Sequence, residues 1–112
     1  IMDAGGGTGR WVVKLSEEYK SNFVIYDLSE DMLAQAEKNI TENGISNRVN
    51  LVHGDLCDMS QIADNSIDYI VSIYSPISFV YENDKVVKEL FRVLRPGGRI
   101  IIMGHGYYNA LA

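Results

Sequence analysis

The sequence has few of the residues that mark several common classes of protein. Its single cysteine, Cys57, cannot close an internal disulfide, which is typical of proteins from a reducing compartment such as the cytoplasm. No apolar run is long enough to span a bilayer, and no signal peptide is visible. No cluster of histidine, cysteine and acidic residues indicates a metal site. We therefore expect a cytoplasmic protein with no bound metal and no membrane contact.

Basic residues are also scarce relative to acidic ones. Ten lysines and arginines stand against 15 aspartates and glutamates, and the formal net charge is −5 at pH 7. No run of basic residues is present, so we expect no broad phosphate-binding surface and no nucleic acid as a partner. The rest of the composition is that of an ordinary globular protein, and 112 residues correspond to one domain.

Short apolar runs alternate with segments of helical period along the chain. Strands that alternate with helices indicate an α/β protein with a doubly wound parallel sheet, whose strands all end at one edge. Ligands of such sheets bind at that edge. Because Ile1 already lies in the first predicted strand, we expect that strand to be cut short. The predicted strands are residues 1–4, 23–27, 49–53, 67–74 and 99–103, and the predicted helices are residues 8–19, 30–42 and 84–94.

Apolar residues at helical spacing predict the buried face of each helix. Ser29 is a good N-cap for the second helix, and Asn43-Gly44 predicts its end. The residues expected to face the core are Trp11, Val12, Leu15 and Tyr19 in the first helix, Met32, Leu33, Ala36 and Ile40 in the second, and Val86, Val87, Leu90, Phe91 and Leu94 in the third.

Three glycines, Gly5, Gly7 and Gly9, stand at alternate positions between the first strand and the first helix. Glycines here permit a tight turn and let a ligand approach the backbone without a Cβ in the way. The dinucleotide-binding fingerprint would need a glycine where Arg10 stands, and no Gly-Lys-Ser/Thr follows as in a P-loop. A glycine-rich turn without a ligand is the alternative explanation.

Two acidic residues follow neighbouring strands at the same edge. Asp27 ends the second strand, where a carboxylate can accept hydrogen bonds from both ribose hydroxyls of a nucleoside. Asp55 follows the third strand and could accept a hydrogen bond from an adenine amino group. Each also has a simpler explanation, Asp27 as a carboxylate at a helix N-terminus and Asp55 as a turn residue beside Gly54. Together with the glycines they indicate a nucleoside pocket.

These motifs resemble those of class I S-adenosylmethionine-dependent methyltransferases. Residues 3–9 are similar to the family's motif I, residues 25–33 to its second motif, residues 54–56 to its adenine-contacting segment and residues 94–99 to the turn before its fifth strand. The branch that acts on small molecules is the most similar. The resemblance implies a Rossmann-like sheet with strand order 3-2-1-4-5, truncated at both ends relative to the family, in which residues 1–112 form the S-adenosylmethionine-binding core.

The resemblance implies a binding role for the residues of motif I. The backbone at Gly5, Gly7 and Gly9 would hold the methionine portion of S-adenosylmethionine, and Asp3 would help to orient its amino group. Gly6 stands where many relatives have cysteine or another residue, which is a mild departure.

The nucleoside portion would be held by the residues that follow the second and third strands. Asp27 would bind the ribose and Asp55 the adenine. Leu28 and Met32 would pack near the ribose and the adenine, and Leu56 would flank the adenine.

The reaction that the resemblance implies is methyl transfer to a small-molecule acceptor by in-line displacement. Residues 73–79 depart from the family, because they contain neither the histidine of many small-molecule members nor an Asn/Asp-Pro-Pro-aromatic motif. The catalytic residues therefore stay unknown, with Tyr74, Ser75 and His105 as candidates. Two alternatives remain open: a related transfer in the same pocket, such as aminopropyl transfer, and a non-catalytic or truncated S-adenosylmethionine-binding domain.

Overall fold

A computed structural model describes residues 1–73 and 84–103 of the chain. They form one five-stranded sheet in the order β3-β2-β1-β4-β5, and every strand pair is parallel, which confirms the predicted fold class and strand order. No helix within these residues is long and apolar enough to cross a membrane. The strands are β1 (Met2–Ala4), β2 (Phe23–Asp27), β3 (Val49–His53), β4 (Ile67–Ile73) and β5 (Leu94–Met103). The helices are α1 (Arg10–Glu18), α2 (Glu30–Glu42) and α3 (Asp84–Val93), and a short 3₁₀ turn (Ser46–Arg48) precedes β3.

Two apolar clusters cover the two faces of the sheet. Because successive residues of a strand point to opposite faces, Val24 and Tyr26 of β2 join the cluster under α3. Phe23 and Ile25 of the same strand join the cluster under α1 and α2. Because the strands are parallel and the helices cover both faces, the loops that follow the strands lie together at the carboxyl edge of the sheet.

Helix α2 begins and ends as predicted. The Ser29 hydroxyl accepts a hydrogen bond from the backbone N–H of Met32 at 3.2 Å, and Glu30 and Asp31 place negative charge in the first turn, near the positive end of the helix dipole. Gly44 follows the C-cap with a φ of 70°, a conformation that ends a helix.

The buried face of α3 is narrower than predicted. Val86, Leu90 and Val93 are buried at positions i, i+4 and i+7, whereas Val87 and Phe91 are 41% and 64% exposed. The predicted helical period is correct, but only one narrow stripe of the helix contacts the sheet. Val87 and Phe91, which lie beside that stripe, face solvent. The predictions that Val87 and Phe91 are core residues were wrong, as was the same prediction for Tyr19 beyond the end of α1. Leu94 packs against the core as predicted, but as the first residue of β5 and not as part of the helix.

Strand β5 begins at Leu94, before the predicted start at Arg99. The predicted turn lies inside the strand as an irregularity in its pairing, because Asp68 of β4 faces the four residues 95–98 of β5. Gly97 has a φ of 86° at this point, which explains the glycine there.

Leu90 and Phe91 provide a test of this arrangement of α3. We expect Leu90→Ala to lower the free energy of unfolding by about 2–5 kcal/mol, because it leaves a cavity in the core. Phe91→Ala removes more atoms from the same helix but should cost about 0.5 kcal/mol or less, because the ring is exposed. Urea denaturation followed by circular dichroism measures both, and a larger loss for Phe91→Ala would contradict the described packing.

Candidate functional site

The loops that follow β1, β2 and β3 meet at the carboxyl edge of the sheet. The backbone N–H of Gly5 donates to the carbonyl of Tyr26 at 2.7 Å, which joins the first loop to β2. The backbone N–H of Gly54 donates to the carbonyl of Asp27 at 3.0 Å, which joins the third loop to the same strand. The three segments that the sequence singled out therefore lie side by side.

The glycine loop, residues 5–9, is shaped by glycines in the left-handed region of backbone conformation. Gly5, Gly7 and Gly9 have φ values of 76°, 56° and 77°. Other residues rarely adopt this conformation, so the alternation of glycines is a requirement of the backbone. Helix α1 consequently begins at Arg10, two residues after the predicted start at Thr8.

Packing, and not torsion angle, requires the glycine at position 6. A Cβ on Gly6 would lie 2.8 Å from Cγ2 of Ile25 and 3.0 Å from Cγ of Asp3. A Cβ on Gly9 would also approach Ile25, at 3.1 Å from its Cδ1. The glycine loop is thus pressed onto one side chain of β2 and onto Asp3.

The Asp27 carboxylate joins the glycine loop to the start of α2. Its Oδ2 accepts a hydrogen bond from the backbone N–H of Gly7, and its Oδ1 accepts one from the backbone N–H of Ser29, both at 2.8 Å. The simpler explanation of Asp27, a carboxylate beside a helix N-terminus, is therefore part of its structural role. Each carboxylate oxygen can accept a second hydrogen bond, so the group keeps capacity for a ligand.

Asp3 is the buried acid of the site. Its side chain is 2% exposed, and among the described residues its Oδ2 has no hydrogen-bond partner. Burial, with a smaller contribution from the Asp27 carboxylate, raises the pKa of Asp3 to about 7. A buried carboxylate without a partner is costly, so this position favours a proton or a cationic hydrogen-bond donor.

Two large apolar side chains are exposed in the segment that follows β2. Leu28 is 65% exposed and Met32 is 40% exposed. The Cε of Met32 lies 3.3 Å from the position that a Cβ on Gly7 would occupy. The prediction that Met32 faces the core of α2 was wrong: its side chain lies along the glycine loop, and Leu33, Ala36 and Ile40 form the buried stripe.

The loop after β3 carries the other two residues that the sequence assigned to the nucleoside. Asp55 is exposed, and its Oδ1 accepts a hydrogen bond from the backbone N–H of Cys57 at 2.8 Å, as expected of a turn aspartate. Leu56 is half-buried against the cluster under α3.

Tyr26 is a residue of the site that the sequence reasoning missed. Its side chain is fully buried, and its hydroxyl lies 3.1 Å from the carbonyl oxygen of Asp55 and 3.0 Å from that of Asp58. The available signal was a hydroxyl in an otherwise apolar run, Phe23-Val24-Ile25, directly before the acid at the strand end.

The candidate residues of the acceptor side, Tyr74, Ser75 and His105, lie outside the described residues. His53 ends β3, and its Nε2 lies 2.8 Å from the carbonyl oxygen of Leu28, so it bridges two loops. Within residues 1–73 and 84–103, no group of three or more histidine, cysteine and acidic residues is placed to hold a metal ion.

Residues 1–98 match the family model described as a methyltransferase domain. This match covers most of the chain and includes every described loop of the site. The chain belongs to this methyltransferase domain family.

Two curated relatives agree with this assignment and differ in what they act on. The tRNA 5-carboxymethoxyuridine methyltransferase of Escherichia coli is 29% identical over 98% of this chain and 40% of its own length. The demethylmenaquinone methyltransferase of Listeria monocytogenes is 33% identical over 89% of this chain and 42% of its own length. The chain thus spans about two fifths of the length of these relatives.

Solved structures of similar fold include proteins with different named activities. A proposed S-adenosyl-L-methionine-dependent methyltransferase from Methanococcus maripaludis superposes with a TM-score of 0.86 at 31% identity, covering 92% of this chain and 46% of that one. A methyltransferase from Geobacter sulfurreducens in complex with S-adenosyl-L-homocysteine gives 0.73 at 26% identity, covering 90% and 39%. The cyclase SpnF gives 0.82 at 27% identity, covering 90% and 36%.

The raised pKa of Asp3 predicts how stability depends on pH. Because the folded pKa of about 7 exceeds the ordinary value of 3.8, the folded state holds this proton more tightly than the unfolded chain does. This contribution to stability is fully present below about pH 4 and is lost as the pH rises through about 7. We expect Asp3→Asn, which cannot ionise, to remove this dependence and to be more stable than wild type by roughly 2–4 kcal/mol at about pH 8.

The measurement is urea denaturation at several pH values, with Asp31→Asn as the control because Asp31 is an exposed acid. The difference in unfolding free energy between wild type and Asp3→Asn should grow from about pH 4 to pH 8. A difference that stays constant over that range would contradict the burial of an ionisable group at this position.

Proposed function

We propose that this chain binds S-adenosylmethionine and forms the cofactor-binding core of an enzyme that transfers its methyl group to an acceptor. The observation that carries the proposal is the convergence of the glycine loop, the buried Asp3 and the Asp27 carboxylate at one sheet edge of a methyltransferase-family chain, where the Oδ2 of Asp3 has no hydrogen-bond partner among the described residues. The relative from Geobacter sulfurreducens supports the choice of cofactor, since it was solved with S-adenosyl-L-homocysteine.

The charge of the site suits this cofactor. Asp3, Asp27 and Asp55 lie in or directly before the loops that follow β1, β2 and β3. S-adenosylmethionine carries a positive sulfonium and a positive ammonium, which these acids attract, whereas they would repel the pyrophosphate of a dinucleotide. The fit of the residues is therefore to a cationic nucleoside.

The methionine end would be held by motif I. The left-handed glycines, Gly5, Gly7 and Gly9, leave the backbone open to close approach, and the Oδ2 of Asp3 would accept a hydrogen bond from the ammonium. An opposite charge at this position lowers the pKa of Asp3, so binding would favour its ionised form.

The nucleoside end would lie over β2 and β3. Asp27 would accept hydrogen bonds from the ribose hydroxyls with the lone pairs that its two backbone partners leave unused. The exposed side chains of Leu28 and Met32 would cover the ribose and one face of the adenine. Asp55 and Leu56 would flank the adenine from the third loop.

The cofactor supplies a methyl group bound to a positively charged sulfur. The neutral thioether that remains after methyl transfer is a good leaving group. The described residues bind and align, and alignment alone lowers the barrier of an in-line displacement substantially. For an alcohol or carbon acceptor a base is also needed, and Tyr74, Ser75 and His105 remain our candidates for residues on the acceptor side.

For the acceptor we propose a small molecule. The net charge of −5 and the absence of a basic run from the sequence favour it over RNA. The Escherichia coli relative nevertheless acts on tRNA, so both classes belong in the assay.

A reducing, cytoplasmic location also remains a prediction from the single cysteine.

One observation favours a second function. The cyclase SpnF has the same fold and a similar level of identity, so the fold does not by itself determine the reaction. The second function is therefore cofactor binding without methyl transfer.

We expect S-adenosylhomocysteine to bind the wild-type protein in isothermal titration calorimetry and to bind Asp27→Ala roughly 10- to 100-fold more weakly, because charge-assisted hydrogen bonds to the ribose are lost. Asp31→Ala is the matched control, since it removes an exposed acid four residues further along. Absence of binding to the folded wild type would refute the proposal, and equal affinities of the two variants would refute the role of Asp27.

Methyl transfer itself is tested with S-adenosylmethionine labelled in its methyl group. We expect label in small acceptors such as quinols and none in a tRNA pool. Label in tRNA would overturn the proposed acceptor class but not the activity, and binding without any transfer would support the second function.

A further inference from the structure

We propose that Tyr26 positions the loop after β3, residues 54–58, so that this loop recognises the adenine ring and gives the site its preference for adenine. Tyr26 is a positioning residue in this proposal, since it acts through the loop and does not touch the ligand. The inference rests on the proposed function, because it concerns the nucleoside end of the same site.

The hydroxyl of Tyr26 holds this loop through hydrogen bonds to its backbone. It donates its single hydrogen to the carbonyl oxygens of Asp55 and Asp58, at 3.1 and 3.0 Å, so the two acceptors share it. Burial raises the pKa of Tyr26 above its ordinary value, and the carboxylates of Asp58, Asp55 and Glu89 raise it further. The hydroxyl therefore remains a donor throughout the physiological pH range.

Gly54 lies in direct contact with the phenol. A Cβ at this position would lie 2.3 Å from the Tyr26 hydroxyl oxygen and 2.8 Å from its Cζ, which real structures do not tolerate. The backbone N–H of Gly54 donates to the carbonyl of Asp27, the next residue of the strand. One strand end thus fixes both the start of the loop and its turn.

The Asp55 carbonyl accepts hydrogen bonds from the Tyr26 hydroxyl at 3.1 Å and from the backbone N–H of Asp58 at 3.0 Å, and together they orient the peptide group between Asp55 and Leu56. In a trans peptide the C=O and the following N–H point in opposite directions. With its carbonyl directed at Tyr26, the peptide between Asp55 and Leu56 directs the Leu56 N–H away from the Tyr26 hydroxyl.

This orientation suits the edge of an adenine. The Asp55 carboxylate is an acceptor and the Leu56 N–H is a donor, whereas adenine presents an amino donor beside a ring-nitrogen acceptor. Hypoxanthine presents the reverse pair, an oxygen acceptor beside an N–H donor. A loop held in this orientation should therefore prefer adenine, and a loop released from Tyr26 should lose part of the preference.

The test is Tyr26→Phe in the intact protein, titrated with S-adenosylhomocysteine and with S-inosylhomocysteine, in which hypoxanthine replaces adenine. We expect wild type to prefer the adenine ligand. We expect the variant to bind it about three- to tenfold more weakly and to bind the hypoxanthine ligand as wild type does, because one hydrogen bond is lost. The matched control is Tyr69→Phe, which removes a hydroxyl from an exposed tyrosine of β4 and should change neither affinity.

The outcomes separate this inference from the proposed function. An equal loss for both ligands, or no loss for either, would overturn the positioning role while the proposed function stands. If folded wild type binds neither ligand, the proposed function is overturned, and this inference falls with it. Should Tyr26→Phe not fold by circular dichroism, Gly54→Ala displaces the loop with the hydroxyl intact and should reduce the same preference, and an unchanged preference would overturn the inference.

Discussion

The hydrogen bonds of Asp27 connect all three loops of the candidate site. Its carboxylate accepts the N–H of Gly7 in the first loop and of Ser29 in the second, and its backbone carbonyl accepts the N–H of Gly54 in the third. Charge-assisted hydrogen bonds of this kind are stronger than neutral ones, so this residue contributes to the shape of the site before any ligand arrives. One residue at the end of β2 can reach all three loops, with its carboxylate and its backbone carbonyl, because parallel pairing brings them to one edge.

The buried acid of the same site acts against the stability of the fold. Asp3 and Asp27 lie close enough for the second to raise the pKa of the first, and Asp3 is buried without a partner for its Oδ2 among the described residues. Such an arrangement lowers the stability of the empty protein, which proteins accept at functional sites and offset elsewhere. A bound cation would pair with the ionised Asp3. The unfavourable burial of this acid therefore favours positively charged ligands over neutral or negative ones.

The parts of the structure that the sequence predicted are those determined locally. The parallel sheet followed from alternating strands and helices, the cap of α2 from Ser29, and the backbone of the glycine loop from Gly5, Gly7 and Gly9, since these features depend on a few neighbouring residues. The strand order followed from the resemblance to the family. The motif spacing also brought Asp27 and the loop together, as expected.

The features that were missed depend on contacts between distant segments. Helical period marks an apolar face but not how much of it the sheet covers, so Phe91 was misplaced. Met32 has the period of a core residue, yet it lies beside a loop that the period does not describe. Tyr26 bonds to carbonyls about 30 residues away, so its own strand can mark it as unusual but cannot show which groups its hydroxyl contacts. The binding roles of the site residues remain predictions.

The contacts of Ile25 have a consequence for the evolution of the site. Its Cγ2 occupies the space that a Cβ on Gly6 would need, and its Cδ1 limits what can stand at Gly9. The side chain allowed in motif I is therefore set partly by the second motif, more than fifteen residues away along the chain. Relatives that carry a cysteine in place of Gly6 should compensate with a smaller or differently shaped residue at the position of Ile25, so the two positions should co-vary across the family.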